Sequence, residues 1–361
     1  MLIIILLISL SVFTLISVYN LFTAPVIKPR SNTNKNEDLV SVLVPARNEE
    51  RNISSCLNGI LNQDYKNIEV IVLDDHSTDN THDIVKLINS AKIKLINGKE
   101  LPEGWLGKNW ACHQLAQNAT GSYLLFIDAD VEIMPNVISS AVLEIQESTA
   151  SLISIFPTQK IKSIGEHLIV PLMNWLLLTF LPLKFVYLLN NKAFVAANGQ
   201  FMLWKKDDYI KVGGHEIVKN KVVEDMELAR LIKKSNLKVK TLLGGDLVYC
   251  KMYNSFTEAS AGFQKNFYAG FTVSPVFFLL IISFLFFVFV SPFFLVQDHL
   301  ISAIPLLLVV ISRASVSIKS RQNWLLHLLL HPFQMFLMLW IGIVSAVKFK
   351  TNSILWKDRK I

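Results

Sequence analysis

Between residues 39 and 156, short apolar runs and longer amphipathic stretches take turns along the chain. Residues 39–44, 68–73, 92–96 and 123–127 are nearly continuous in Val, Ile and Leu, the pattern of strands buried on both faces. Between them, residues 49–61 carry Ile53, Leu57, Ile60 and Leu61, and residues 78–88 carry Ile84, Val85, Leu87 and Ile88, the spacing of helices with one apolar face. This alternation predicts an α/β unit with a mostly parallel sheet, whose ligands gather at the carboxyl ends of the strands.

Other stretches are apolar on a longer scale. Residues 2–22 are long enough to span a bilayer. No Lys or Arg precedes them, no clear small-residue cleavage site follows, and Lys28, Arg30 and Lys35 come directly after. That pattern favours an uncleaved anchor over a signal peptide and puts the following chain in the cytosol. A second block offers spans at 275–296 and at 300–311 with an extension toward 318, joined by Gln297, Asp298 and His299. Arg313, Lys319 and Arg321 then mark a return to the cytosol. Residues 324–347 form a third stretch with His331-Pro332 inside it, open to a crossing or to a kinked, re-entrant hairpin. Residues 164–189, broken by Pro171 and Pro182, read as an interfacial amphipathic segment lying in the headgroup layer and not as a crossing, with a buried helix pair as the alternative. The expected organisation is an anchor (1–27), a cytosolic α/β domain (38–272) that includes the 164–189 segment, membrane or re-entrant helices (275–347) and a basic cytosolic tail (348–361).

Composition supports this division. Of 361 residues, 52% are hydrophobic and 17% are charged, well below the share of charge in an ordinary soluble domain. Three Cys without a CxxC pair fit a reducing compartment with no disulfide framework. The net charge of +7 is unevenly placed: residues 39–297 balance at 24 basic and 24 acidic, so the excess lies on the flanks beside the apolar runs. A basic face for nucleic acid is therefore not implied. A transporter would place ionisable groups inside its spans. Only His327 and His331 stand out there, and the pair reads as interfacial or mutually hydrogen-bonded.

Polar clusters fall where the apolar runs end. Val44 leads into Pro45-Ala46-Arg47-Asn48-Glu49, Leu73 into Asp74-Asp75-His76-Ser77-Thr78-Asp79, and Ile127 into Asp128-Ala129-Asp130. No GxGxxG follows the first strand, which argues against a dinucleotide cofactor. Two carboxylates at i and i+2 can hold Mg²⁺ or Mn²⁺ whose remaining ligands are waters and substrate phosphates. Such a pair alone is more often an exposed acidic turn; three polar strand ends at one sheet edge raise its standing. Gly107-Lys108 opens a helical run, so a helix N-terminus and an ammonium are offered to phosphate. Glu224-Asp225 starts another helix, where carboxylates suit the dipole and one can serve as a general base.

In order and spacing these segments resemble glycosyltransferase family 2. Residues 101–112, Leu-Pro-Glu-Gly-Trp-Leu-Gly-Lys-Asn-Trp-Ala-Cys, are similar to the membrane-bound subgroup that includes the carotenoid glycosyltransferases. The resemblance implies a GT-A fold, a divalent metal and inverting transfer from a nucleotide-sugar donor, UDP-glucose being the expected one. It implies donor contacts from Pro45, Arg47, Glu49, Asp74, Asp75, Lys108, Asp128 and Asp130, with metal on Asp128 and Asp130 and Asp225 as base. Asn198, Gly199, Gln200, Glu224 and Gln264 would face the acceptor, a membrane lipid with a carotenoid-type hydroxyl or carboxyl. Ceramide, diacylglycerol or polyprenyl phosphate are the alternative acceptors, and a processive polysaccharide synthase is the remaining alternative. Where processive members carry QxxRW, this chain reads Gln264-Lys265-Asn266-Phe267-Tyr268, which suits transfer of a single sugar. The implied setting is a bacterial inner membrane with the catalytic domain cytoplasmic.

Overall fold

A computed structural model describes residues 2–30, 38–88, 90–271, 273–295, 300–351, 355–356 and 359–360. Lys35, the link at 297–299, and Lys357 and Asp358 of the tail lie outside the described residues. The four expected strands are β1 (Val40–Ala46), β2 (Ile68–Asp74), β3 (Ile93–Asn97) and β4 (Tyr123–Ile127). They pair in parallel, β1 between β2 and β4, with β3 outside β2. After β5 (Val131–Ile133) come β6 (Leu152–Phe156), β7 (Thr158–Gln159), β8 (Phe201–Lys205), β9 (Val239–Leu243) and β10 (Val248–Cys250). The main sheet runs β3-β2-β1-β4-β8-β6-β9, with β8 antiparallel to both its neighbours. A small sheet, β5-β10-β7, begins just past the end of β4.

The pleat sends alternate residues of a strand to opposite faces and so divides the apolar residues between two cores. Val40, Val42 and Val44 of β1 join Ile53, Leu57, Ile60 and Ile138 on one side. Leu43 of the same strand joins Ile71, Leu124 and Leu115 on the other, beneath the Gly107–Asn118 helix.

Two helices start later than the periodicity suggests, at Ile53 and at Thr81. Asn48 takes φ 52°, and the N–H groups of Glu49 and Glu50 donate to Thr81 Oγ1 (2.7 Å) and Asp79 Oδ2 (3.1 Å). In return the Thr78 N–H donates to Asn48 Oδ1 at 2.8 Å. Side-chain acceptors of each loop take N–H groups of the other that a helix start leaves unpaired, and so stitch the two strand-end loops together.

The long apolar stretches are helices Leu2–Thr23, Pro275–Val290, Leu300–Lys319 and Trp324–Lys350. Among the described residues, three segments are long and apolar enough to cross a membrane: Ile3–Thr23, Pro275–Phe293 and Trp324–Lys350. Leu300–Lys319, expected as a further span, is also a single helix. Its Arg313, expected to mark a cytosolic flank, has no exposed surface. Pro332 lies inside one continuous helix, so the described chain does not form a hairpin at His331-Pro332. Residues 164–189 fold as short helices Ile164–Ile169, Pro171–Phe180 and Phe185–Leu188. Trp175 and Leu178 are completely enclosed, while Ile164, Leu188 and Leu189 stay exposed. One face of the segment is therefore packed against the core and part of it stays exposed.

One sheet face and the helices share a core. Leu6, Leu10, Trp175, Phe278 and Met335 belong to the same apolar cluster as Leu43 and Leu124. After the first helix the chain runs onto the sheet edge: the Ile27 N–H donates to the Leu243 carbonyl, and the Leu243 N–H to the Pro25 carbonyl, both at 2.9 Å.

Candidate active site

The carboxyl ends of β1, β2 and β4 open on the same edge of the sheet. Arg47 closes the first two ends by donating from Nη1 to the carbonyls of Asp75 (2.7 Å) and His76 (3.2 Å). Asp74 is buried, and its two carboxylate oxygens face the Ser77 N–H (3.1 Å) and His82 Nδ1 (3.2 Å). It therefore shapes the loop, while Asp75, also buried, follows it at the strand end. Pro45 is in register with Leu73, just before this junction, and Glu49 accepts from Asn52 Nδ2 at 2.9 Å.

At the end of β4 the chain turns through Asp128-Ala129-Asp130, closed by the Val131 N–H donating to the Asp128 carbonyl at 3.0 Å. Asp128 Oδ2 accepts from Lys108 Nζ at 2.8 Å, and the same ammonium lies 3.3 Å from Glu224 Oε1. Lys108 is on the first turn of the Gly107–Asn118 helix, and Glu224 and Asp225 on the first turn of Glu224–Lys234. Burial alone would lower the Lys108 pKa; Asp128 and Glu224 outweigh it and hold the group well above its usual range. The expected phosphate contact is thus occupied here by two carboxylates.

Asp225 is fixed by backbone donors: the Gly199 N–H reaches Oδ2 at 2.8 Å and the Met226 N–H reaches Oδ1 at 2.7 Å. A Cβ on Gly199 would stand 3.1 Å from Lys108 Nζ and 3.2 Å from Glu224 Oε1, so the close approach favours glycine. Asn198 Oδ1 accepts from the Gln200 N–H at 2.8 Å, and the Asn198 N–H donates to Ser154 Oγ at 2.7 Å. This brace holds the 198–200 turn on β6 and β8. Burial, reinforced by Glu224, pushes Asp225 up to about 7 against the opposing Lys108 and backbone donors.

Asp130 is raised by burial first and then by Asp128 and Glu49. Its Oδ1 is buried without a hydrogen-bond partner. Two hard oxygen donors, one of them unsatisfied, fit Mg²⁺ or Mn²⁺. No third His, Cys, Asp or Glu completes a metal cage among the described residues, so the remaining ligands would be waters and phosphate oxygens.

Of the residues expected at the site, Lys108, Asp128, Glu224, Asp225 and Gly199 form one connected cluster. Asn198 and Gln200 support it, and Asp130 adjoins it. Gln264 is used elsewhere: its Oε1 accepts from Lys348 Nζ at 2.7 Å and its Nε2 donates to Ser260 Oγ at 2.9 Å, tying the catalytic domain to the last helix.

Several neighbours went unread in the sequence. Asn109, buried, donates from Nδ2 to the carbonyls of Val218 (2.8 Å), Lys219 (3.2 Å) and Lys221 (3.0 Å), pinning the loop that enters the Glu224 helix. All three cysteines are buried and free. Cys56 Sγ lies 3.8 Å from the Asp128 carbonyl, and Cys250 Sγ accepts from Gln200 Nε2 at 2.9 Å. Burial and the surrounding carboxylates push the Cys56 and Cys250 thiols up, so they remain protonated. Asn109 and Cys112 stand inside the 101–112 stretch, whose unusual composition was the available signal; Cys56 and Cys250 had none.

Residues 41–207 match the family model described as glycosyl transferase family 2. A 4,4'-diaponeurosporenoate glycosyltransferase of Staphylococcus haemolyticus (strain JCSC1435) is 29% identical over 234 residues, 64% of this chain and 61% of that protein. The enzyme of the same name from Staphylococcus aureus (strain USA300) is 27% identical over 241 residues, 66% of this chain and 63% of its own. The chain thus spans less than two thirds of the length of these relatives. Among solved structures, the mannosyltransferase PcManGT from Pyrobaculum calidifontis, in complex with GDP-Man and Mn²⁺, is similar with a TM-score of 0.55. Its sequence identity is 16%, over 96% of this chain and 97% of that one. At that identity the likeness is one of fold, and the fold is the expected GT-A-like one.

Proposed function

From the glycosyl transferase family 2 domain that residues 41–207 carry, we propose that this chain transfers one sugar from a nucleotide-sugar donor to a membrane lipid. The observation that carries the reading is the single cluster of Asp128, Lys108, Glu224 and Asp225, with the unpartnered Asp130 Oδ1 beside it. A donor-side carboxylate pair and an acceptor-side pair meet there through one ammonium. The adjoining apolar helices bring this cluster to a lipid surface, on the cytoplasmic side by the positive-inside tendency.

Asp128 and Asp130 would hold the divalent cation, which when bound neutralises charge on the leaving nucleoside diphosphate. Lys108 keeps Asp128 and Glu224 in place without solvent reorganisation, the kind of fixed charge that favours a polar transition state. Asp225, held by two backbone N–H groups, takes the proton of an attacking hydroxyl on the face of the sugar opposite the leaving group, which inverts the anomeric centre. A carboxylate acceptor arrives already ionised and has no proton to give. UDP-glucose and a carotenoid-type acid or alcohol are the first donor and acceptor to try, since the two staphylococcal relatives are named for a carotenoid acid.

The test is incubation of membranes containing the full chain with labelled UDP-glucose or GDP-mannose and a panel of lipids, with product mass read out. A singly glycosylated lipid formed with metal and abolished by chelator is expected. Multiply extended products, or undiminished turnover in chelator, would overturn single transfer and the metal role respectively.

A further inference from the structure

The Leu300–Lys319 and Trp324–Lys350 helices meet over polar side chains that the proposed transfer does not use. Arg313 is fully buried. Its Nε donates to the His327 carbonyl at 3.4 Å and its Nη2 to Gln334 Oε1 at 2.8 Å. His327, His331 and Gln334 follow one another at i, i+4 and i+7, one face of the helix. Arg313 therefore grips that face on both sides of His331.

The two histidines do not bond each other, as the sequence had allowed. Gln334 Nε2 donates to the His167 carbonyl at 2.7 Å and lies 3.0 Å from His327 Nδ1, while His327 Nε2 is 3.4 Å from His167 Nδ1. His331 instead sits against Trp175 and Phe289, with ring centroids 5.9 and 5.8 Å away. Arg313 Nη1, both ring nitrogens of His331 and Trp175 Nε1 are all buried without a hydrogen-bond partner. One turn along from Arg313 and Trp175, Ser317 and Thr179 also have unpartnered hydroxyls. No carboxylate forms an ion pair with Arg313 among the described residues.

A guanidinium cannot shed its charge, and an enclosed charge without a counter-ion is strongly unfavourable. Neutral acceptors satisfy part of Arg313 and leave Nη1 unpaired, while the unpartnered His331 ring packs against the Trp175 indole, a set dominated by donors. The complement of such a set is an oxyanion. Leu325, Leu329, Phe333 and Phe336 of the same helix as His331 are exposed on other faces, an apolar surface of the kind lipid chains cover. We propose that Arg313, His331 and Trp175 bind the phosphate or carboxylate of an anionic amphiphile, at a site separate from the donor cluster. An ionisable residue enclosed among apolar helices marks a functional site by default. Enclosure on all sides implies slow exchange, so the occupant should survive purification steps that strip loosely held lipid.

The experiment is native mass spectrometry of the full chain in neutral detergent after incubation with phosphatidylglycerol, oleate, phosphatidylcholine or inorganic phosphate. A high-salt wash removes anions held only by surface lysines, which salt screens. One equivalent of phosphatidylglycerol or oleate should be retained, and which of them is kept tells phosphate from carboxylate. Arg313→Met and His331→Leu should each weaken retention roughly ten- to hundredfold, the range for a lost charge-assisted hydrogen bond. Equal retention of phosphatidylcholine by the wild type, retention of inorganic phosphate alone, or unchanged binding in Arg313→Met would overturn the proposal. If Arg313→Met does not fold, His331→Leu provides the variant comparison, and the lipid preference of the wild type decides by itself if neither folds. The readout needs no turnover, so failure of the proposed reaction would leave it intact.

Discussion

In the proposed reaction Lys108 and Asp225 carry different roles, and their surroundings make separate predictions. Asp225→Asn keeps the size of the side chain and one oxygen for a backbone donor but removes the base. With a hydroxyl acceptor, kcat should fall by roughly 10²–10⁴-fold, with little change in donor KM. Because Asp225 is raised to about 7, it is protonated and inactive below that pH and ionised above it. The wild-type rate should therefore climb as pH passes upward through about 7, and this limb should vanish in Asp225→Asn or with a carboxylate acceptor. A pH–rate profile with each acceptor checks both statements. Gly199→Ala brings a methyl group against Lys108 Nζ and Glu224 Oε1. The far ends of those side chains can shift, so the fold should survive while kcat drops; thermal melting and steady-state kinetics separate the two effects.

At the scale of elements, the Gly107–Asn118 helix does two jobs from adjacent residues: Lys108 reaches the acidic cluster and Asn109 holds the loop at 218–221. Asn109→Ala would leave buried carbonyls unpaired, a loss of about 1–3 kcal/mol. It should lower Tm and speed proteolysis or hydrogen exchange at 218–221, and it should reduce kcat by letting the start of the Glu224–Lys234 helix shift. Equal exchange in wild type and variant would remove that positioning role. The sequence showed the first helices of the catalytic domain by period but misplaced the starts of two of them. The period of a segment does not show its partner loop: Asn48 and Thr81, on facing strand-end loops, accept from the Thr78 and Glu49 N–H groups.

On the scale of the whole molecule, the catalytic domain and the apolar helices are one packing unit. Leu6 and Leu10 share a core with Leu43 and Leu124, and residues 25–27 bond to Leu243 at the sheet edge. A fragment cut to residues 38–272 should therefore be poorly soluble and loosely packed, although it contains every residue of the acidic cluster. Near-UV circular dichroism and soluble yield, compared with the full chain in detergent, measure this; a well-packed, soluble fragment would show that the shared core is dispensable.

Periodicity in the sequence determined the first four β-strands, their parallel pairing and the apolar helices, because burial on one or two faces leaves its mark at fixed local spacing. A strand end likewise marked Asp128 and Asp130 as candidates, and a helix start marked Glu224 and Asp225, since packing gives polar groups no reason to interrupt an apolar run. Only the tertiary structure decided that Lys108 joins two carboxylates, that Gln264 reaches Lys348, and that Arg313 is enclosed. Each of those outcomes depends on which distant elements come together. The physical reason is that a side chain's charge and hydrogen bonds are settled by its neighbours in space, which local spacing does not encode.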